Sequence, residues 1–242
     1  MLPKTFAIIR GNLPAFLGFL AFDMLIDLSS RLLTPHLLLI TFISTTLLSY
    51  FVYRAVLFEE RFKFTGFDLR HFGKFLWRSI RLSLLFGLIL VISSLPVFIA
   101  FGARHVRDNP TASIAESLVV LLTLPTLFAW LGTCLPATVS GQGGSFAEAS
   151  KRGKTTFLPL LVDLIVPTAI GPLSSFLQGA GFFARYLPAP LKFQAVLGAP
   201  LPLAAIMLGD GLQLLVTVLY AVAISRAYLQ TERQRSLAEP AE

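Results

Sequence analysis

The chain has 242 residues, 55% of them hydrophobic and 14% charged, where a soluble domain carries about a quarter charged. Its 20 Lys and Arg against 13 Asp and Glu leave a formal charge of +7, and no charge falls within Leu32 to Tyr53, Leu82 to Ala103, Ser117 to Ala147 or Leu164 to Ala184. Each run can cross a hydrocarbon layer of about 30 Å as a helix, which excludes a soluble enzyme, a disordered chain and a nucleic-acid binder; a basic excess beside such runs records topology and attraction to anionic lipid.

From the N-terminus, Lys4 and Arg10 precede an apolar stretch that lacks a small-x-small cleavage site and continues to Asp23, so it reads as a retained first span. Hydropathy predicts an all-α polytopic transmembrane bundle of six spans, over residues 9–31, 36–58, 76–101, 114–139, 156–180 and 202–225, in a single domain covering 1–229. A membrane barrel would need apolar/polar alternation, which is missing. Fifteen Lys and Arg fall on one side of these spans and five on the other, so the positive-inside rule predicts both termini in the cytoplasm. The polar tail 230–242 is expected to fray.

Helix starts carry local signals. Ser113 to Glu116 and Ser145 to Glu148 match the S/T-x-x-E capping box, in which serine and glutamate satisfy amides left over at a helix start. The first predicts the opening of span four; the second predicts a short cytoplasmic helix before span five, after a flexible hinge at Ser140-Gly-Gln-Gly-Gly144. Thr65 and Asp68 predict the start of a basic amphipathic helix, with Leu69, Phe72, Leu76 and Ile80 on one face and Arg70, Lys74, Arg78 and Arg81 on another. Such a helix would lie on the inner leaflet before the chain turns into span three. Arg70, Lys74 and Arg78, with Lys151, Arg152 and Lys154 ahead of span five, are the candidate lipid-headgroup contacts. A weak echo pairs Gly73-Lys74 and Ala103-Arg104, around one apolar stretch, with Gly153-Lys154 and Ala184-Arg185 around another.

Within the spans, Thr41, Thr45 and Ser49, then Ser79, Ser83 and Gly87, then Thr217, Ala221 and Ser225 recur every four residues and predict close helix approach. Pro96, Pro125, Pro136, Pro167 and Gly171-Pro172 are expected to interrupt their spans. Unwound backbone of that kind builds midplane sites in transporters, although prolines are also ordinary in membrane helices. Trp77, Tyr50, Tyr53, Tyr186 and Tyr228 read as interfacial anchors.

Acids inside spans are functional candidates by default, because an ionised carboxylate in lipid is costly unless paired, protonated or hydrated. Asp23, Asp163 and Asp210 therefore form the candidate intramembrane polar site, with Arg81 as the expected partner of Asp163. Asp27 is expected to pair with Arg31 one turn away. Arg152-Gly153-Lys154-Thr155-Thr156 resembles the end of a phosphate-binding loop, but position 148 is Glu where a glycine is needed. His36, His71 and His105 lie in separate connections and Cys134 is alone, so no catalytic residue, cofactor or metal site is expected and the chain reads as not an enzyme.

Three segments, Arg54-Ala-Val-Leu-Phe-Glu-Glu-Arg61, Gly73-Lys-Phe-Leu-Trp-Arg-Ser79 and Gly144-Ser-Phe-Ala-Glu-Ala-Ser-Lys-Arg-Gly153, together with the span pattern, resemble the YciC-like bacterial inner-membrane proteins and the membrane domain attached to some glycerophosphodiester phosphodiesterases. The resemblance implies a bacterial inner-membrane location. It carries over no catalytic residue and does not imply phosphodiester hydrolysis. Two functions stay open: a structural or scaffold protein contacting lipid through a basic cytoplasmic face, and a small transporter or channel subunit using the intramembrane acids. The expected partners are anionic headgroups of the cytoplasmic leaflet, with a membrane protein or a second copy of the chain as further candidates, and no nucleic acid.

Overall fold

A computed structural model describes residues 2–32, 38–62, 67–101, 110–142, 144–180 and 200–238. These form eight helices and no strand: α1 (Leu2–Gly11), α2 (Leu13–Leu32), α3 (Leu38–Phe58), α4 (Leu69–Phe101), α5 (Pro110–Leu131), α6 (Cys134–Val139), α7 (Phe146–Ala180) and α8 (Pro200–Ala238). Four stretches, Leu39–Phe58, Leu69–Val97, Phe146–Ser174 and Met207–Leu237, are long and apolar enough to cross a membrane. The bent pair α1 and α2 brings the number to five. The protein is a polytopic helical membrane protein, with four to five candidate spans where hydropathy alone suggested six.

The two departures have local causes. The first expected span bends by 87° at Asn12, a buried residue that ends α1 and begins α2. Its side-chain Nδ2 donates to the Ile8 carbonyl at 2.9 Å, satisfying an acceptor left over at the end of α1, while its Oδ1 accepts the Phe62 amide at 2.7 Å. In the fourth expected span the helix stops at Leu131 and resumes at Cys134, and the apolar stretch described there, Leu118–Leu131, is short. Asp27 and Arg31 keep helical backbone, but the side-chain pairing expected of them lies outside what is described.

Elsewhere helices are longer than expected. The basic amphipathic segment does not lie apart from span three; α4 is one helix of 33 residues, about 50 Å at 1.5 Å per residue. The short helix expected before span five is likewise the first part of α7, 35 residues long, and α8 continues as helix to Ala238 through residues expected to fray. Pro96, Pro125, Pro159, Pro167 and Pro172 all sit inside unbroken helices. In lipid the backbone groups that a proline frees have no water to turn to, so the rest of the helix keeps its own pairing. Helix α5 is already helical at Pro110, the first residue described there, so the Ser113 box does not open it. The Ser145 cap does form: its Oγ accepts the Glu148 amide at 3.2 Å.

Helix α8 is the axis of the fold. It packs against α7, α3, α2, α1 and α6, and Val218, Leu219, Val222, Ile224 and Ser225 are fully buried along it. Helix α4 is peripheral and exposes Leu84, Leu88, Val91, Ile92, Leu95 and Ile99, a face suited to lipid rather than water. The connection from α3 to α4 is held by rings: Tyr50 meets Phe72 at 5.6 Å and Phe75 at 5.4 Å between centroids, and Phe62 stacks on Phe51 at 5.5 Å. Tyr50, Tyr53 and Tyr228 are buried and so are core residues rather than interfacial anchors, whereas both tryptophans, Trp77 and Trp130, are exposed. Tyr186 lies outside the described residues.

Glycine use separates the two halves of the sequence echo. A Cβ on Gly153 would lie 2.4 Å from the Trp130 carbonyl oxygen, whereas one on Gly73 meets nothing within 4 Å. We expect Gly153→Ala to destabilise the protein by about 1–3 kcal/mol through forced separation of α5 and α7. Gly73→Ala should be neutral or stabilising by up to about 1 kcal/mol. Thermal unfolding of both variants in detergent checks this, and equal melting temperatures would refute it.

Candidate functional site

Helices α4, α7 and α8 are each longer than the roughly 20 residues needed to cross a bilayer, and each carries its cations in one terminal stretch: Arg70 to Arg81 in α4, Lys151 to Lys154 in α7, Arg226 to Arg235 in α8. Packing gathers these stretches at one end of the bundle. Arg78 of α4 sits over the Phe146 ring of α7, 5.8 Å from its centroid, and Arg152 of α7 reaches Glu232 of α8 at 3.4 Å.

At this end a groove of about 360 Å³ is walled by His71, Lys74, Trp77, Arg78 and Arg81 from α4, by Thr138 of α6, and by Gly141 and Gly144. Among the described residues no carboxylate lines it. Glycine is required on its floor: Gly141 has φ +78°, and a Cβ on Gly144 would lie 2.0 Å from Thr138 Oγ1. The segment read as a flexible hinge is tied to α8, because the Tyr228 hydroxyl donates to Gln142 Oε1 at 2.7 Å and lies 2.9 Å from Ser140 Oγ.

The candidate headgroup contacts divide three ways. Lys74 and Arg78 line the groove. Arg70, Lys151 and Lys154 are exposed outside it. Arg152 sits differently: its side chain is only 9% exposed, paired with Glu232 and stacked on Tyr228 at 5.3 Å, so it joins α7 to α8. Helical spacing put it beside Lys151 and Lys154, but only packing turned it inward.

Arg81 is the reverse case. The expected pair with Asp163 does not form; Arg81 is exposed and lies 4.9 Å from the centroid of Trp77, lining the groove. Helix α4 packs on α3, α5 and α6, which leaves Asp163 of α7 half-buried without an ion pair among the described residues. Asp23 accepts a hydrogen bond from Ser44 of α3 at 2.7 Å. Asp210 is 5% exposed, beside Gly209, whose carbonyl accepts from Ser174 of α7 at 2.8 Å. None of the three acids lines the groove or the interior cavity described next. Among the described residues no three His, Cys, Asp or Glu side chains converge.

The hydroxyl stripes supply what the sequence reading missed. Thr45 and Ser49 of α3, Ser79 and Ser83 of α4, and Thr217 and Ala221 of α8 line a common cavity of about 350 Å³, while α3 and α8 still pack on each other. Tyr53, Gln213 and Tyr220 add polar atoms to its wall, and Phe42, Phe75, Phe86 and Phe128 supply its apolar surface. Four-residue spacing serves close packing and cavity lining equally, so only the separation of the helices distinguishes them.

Comparison with protein-family models, with curated proteins and with solved structures finds no match to this chain. The site therefore rests on its own geometry.

Asp68 caps α4 at the mouth of this basic end. Its Oδ1 accepts the Arg70 amide at 2.8 Å and the His71 amide at 3.1 Å, and its Oδ2 lies 2.6 Å from His71 Nδ1; the cap is Asp68 itself, and Thr65 lies outside the described residues. The His71 ring first, then its amide, hold the carboxyl below its ordinary value of 3.8. A carboxyl depressed in the folded state adds stability above its unfolded value, and that stability is lost as pH falls through the folded one. The difference in melting temperature between the protein and Asp68→Ala should therefore be constant near neutrality and close on acidification below the ordinary carboxylate range. A difference that persists there would show that the carboxylate charge is not what caps the helix.

Proposed function

We propose that the protein is a bacterial inner-membrane protein that engages anionic lipid headgroups through its basic end, serving as a structural or scaffold element there, with that end and both termini in the cytoplasm and the α1–α2 and α5–α6 segments completing six passes. The observation that carries this reading is the groove walled by Lys74, Arg78 and Arg81, with no carboxylate among its described lining residues; His71 on the same wall is paired with Asp68. Arginine forks and a lysine point charge are the groups that hold phosphate oxygens, and Trp77 on the same wall suits the level of the headgroups. The resemblance to YciC-like proteins supports the same location. The second groove at this end is less suited to an anion, since Glu148 lines it together with Lys151 and Arg235.

Transport or conduction through Asp23, Asp163 and Asp210 has less behind it. Helices α4 and α7 run unbroken through their prolines, and Asp23 is satisfied within the α2–α3 contact. Under the lipid-contact reading, Asp210→Asn leaves solute flux in proteoliposomes unchanged; loss of a defined flux would favour transport.

The direct test uses purified full-length protein in detergent titrated with phosphatidylglycerol, cardiolipin or phosphatidylcholine and read by native mass spectrometry. Combined Lys74→Gln, Arg78→Gln and Arg81→Gln should weaken retention of the anionic lipids by about fivefold per charge removed, following roughly 1 kcal/mol per cation near an anionic surface. High salt should have the same effect. Equal retention of phosphatidylcholine, or no loss in the variant, would overturn the reading.

A further inference from the structure

The interior cavity stands apart from the basic groove, and its wall has a chemistry of its own. Among the described residues that line it none is charged. An ion there would need a counter-charge in surroundings that screen poorly, so an occupant is uncharged. The volume of about 350 Å³ falls in the range of ordinary small-molecule sites.

Two hydroxyls without a described partner point to the kind of occupant. Tyr53 is 2% exposed and Thr46 6% exposed; both line the cavity, and neither hydroxyl has a hydrogen-bond partner among the described residues. Neither oxygen is among the enclosed, unpaired side-chain atoms, so both reach the open space of the cavity, where an occupant can bond them. Other hydroxyls on the wall are already committed as donors. Thr45 Oγ1 donates to the Thr41 carbonyl at 2.8 Å, Ser49 Oγ to the Thr45 carbonyl at 2.9 Å, and Thr217 Oγ1 to the Gln213 carbonyl at 3.0 Å. As hydroxyl oxygens they keep the capacity to accept.

The wall thus offers donors and acceptors side by side. A hydroxyl group both donates and accepts and matches it, whereas a carboxylate only accepts, an ammonium only donates, and each brings an unbalanced charge. Phe42, Phe75, Phe86 and Phe128 suit an alkyl or ring body attached to that hydroxyl. Access is lateral, since Ser83 and Gln213 on the wall are exposed on the flank of a bundle that α4 bounds with its apolar face. We propose that this cavity binds an uncharged, hydroxyl-bearing amphiphile that enters from the surrounding lipid.

The test places the full-length protein in lipid nanodiscs with a decanol analogue carrying a photoreactive diazirine and maps the labelled peptides. We expect saturable labelling of cavity-lining segments of α3, α4 and α8, displaced by plain decanol but not by decane or decanoate. Thr46→Val with Tyr53→Phe, which remove the two hydroxyls at nearly constant shape, should weaken displacement by decanol by about tenfold. Labelling that does not saturate, that decane or decanoate displaces equally, or that the double variant leaves unchanged would overturn the proposal and leave the cavity as hydrated or acyl-filled space. Combined Lys74→Gln, Arg78→Gln and Arg81→Gln should not alter the labelling; if it does, the label reports a lipid anchored by its headgroup and the proposal fails.

Discussion

A helix that enters hydrocarbon must keep its backbone hydrogen bonds to itself, because nothing outside it can accept or donate them. The rest of this structure follows from that constraint. Helices α4, α7 and α8 run for 33, 35 and 39 residues through prolines and glycines that would end helices in water. Running past the thickness of a bilayer, each carries its polar terminal stretch out with it. The breaks that do occur have identifiable replacements for the lost bonds: at Asn12 the side chain supplies them, and at Gly132 the amide still reaches the Phe128 carbonyl at 2.9 Å.

Continuity of these helices turns a charge pattern into a site. Cationic terminal stretches of three long helices gather at one end when the helices pack, and the close approach of Gly144 to Thr138 sets α6 and the turn after it as the wall of a groove that the cations of α4 line. The same packing removes one cation from the set. Arg152, wedged between α7 and α8 with Glu232 and the Tyr228 ring, holds the basic end together while its neighbours Lys151 and Lys154 stay exposed. A buried guanidinium with a carboxylate partner is a joint whose loss of either member is destabilising, so charge alone is a poor guide to which residues meet lipid.

The interior cavity arises from the opposite circumstance, helices held apart. Helix α4 packs on α3, α5 and α6, and the space between α4 and α8 is left to hydroxyls and aromatic rings. Small polar residues in lipid draw helices together when they meet. Here aromatic packing at the α3–α4 connection, around Tyr50 and Phe75, sets where α4 stands, and its serines face the gap.

Membrane residence, the helical class and the positions of most helices were legible in the sequence, because they follow from apolar content summed along the chain and from the absence of an alternative to the helix in lipid. So was the Ser145 cap, a short-range bond between residues three apart. The sequence placed Lys74 and Arg78 on one face, since helical spacing is local geometry. What only tertiary structure decided was the lateral partner of each face: that Arg81 does not reach Asp163, that Arg152 turns inward, and that Thr45, Ser79 and Thr217 surround a cavity. Hydropathy belongs to single residues and accumulates along a segment, whereas the neighbour of a side chain depends on how whole helices pack, and identical stripes of small residues serve contact and cavity alike.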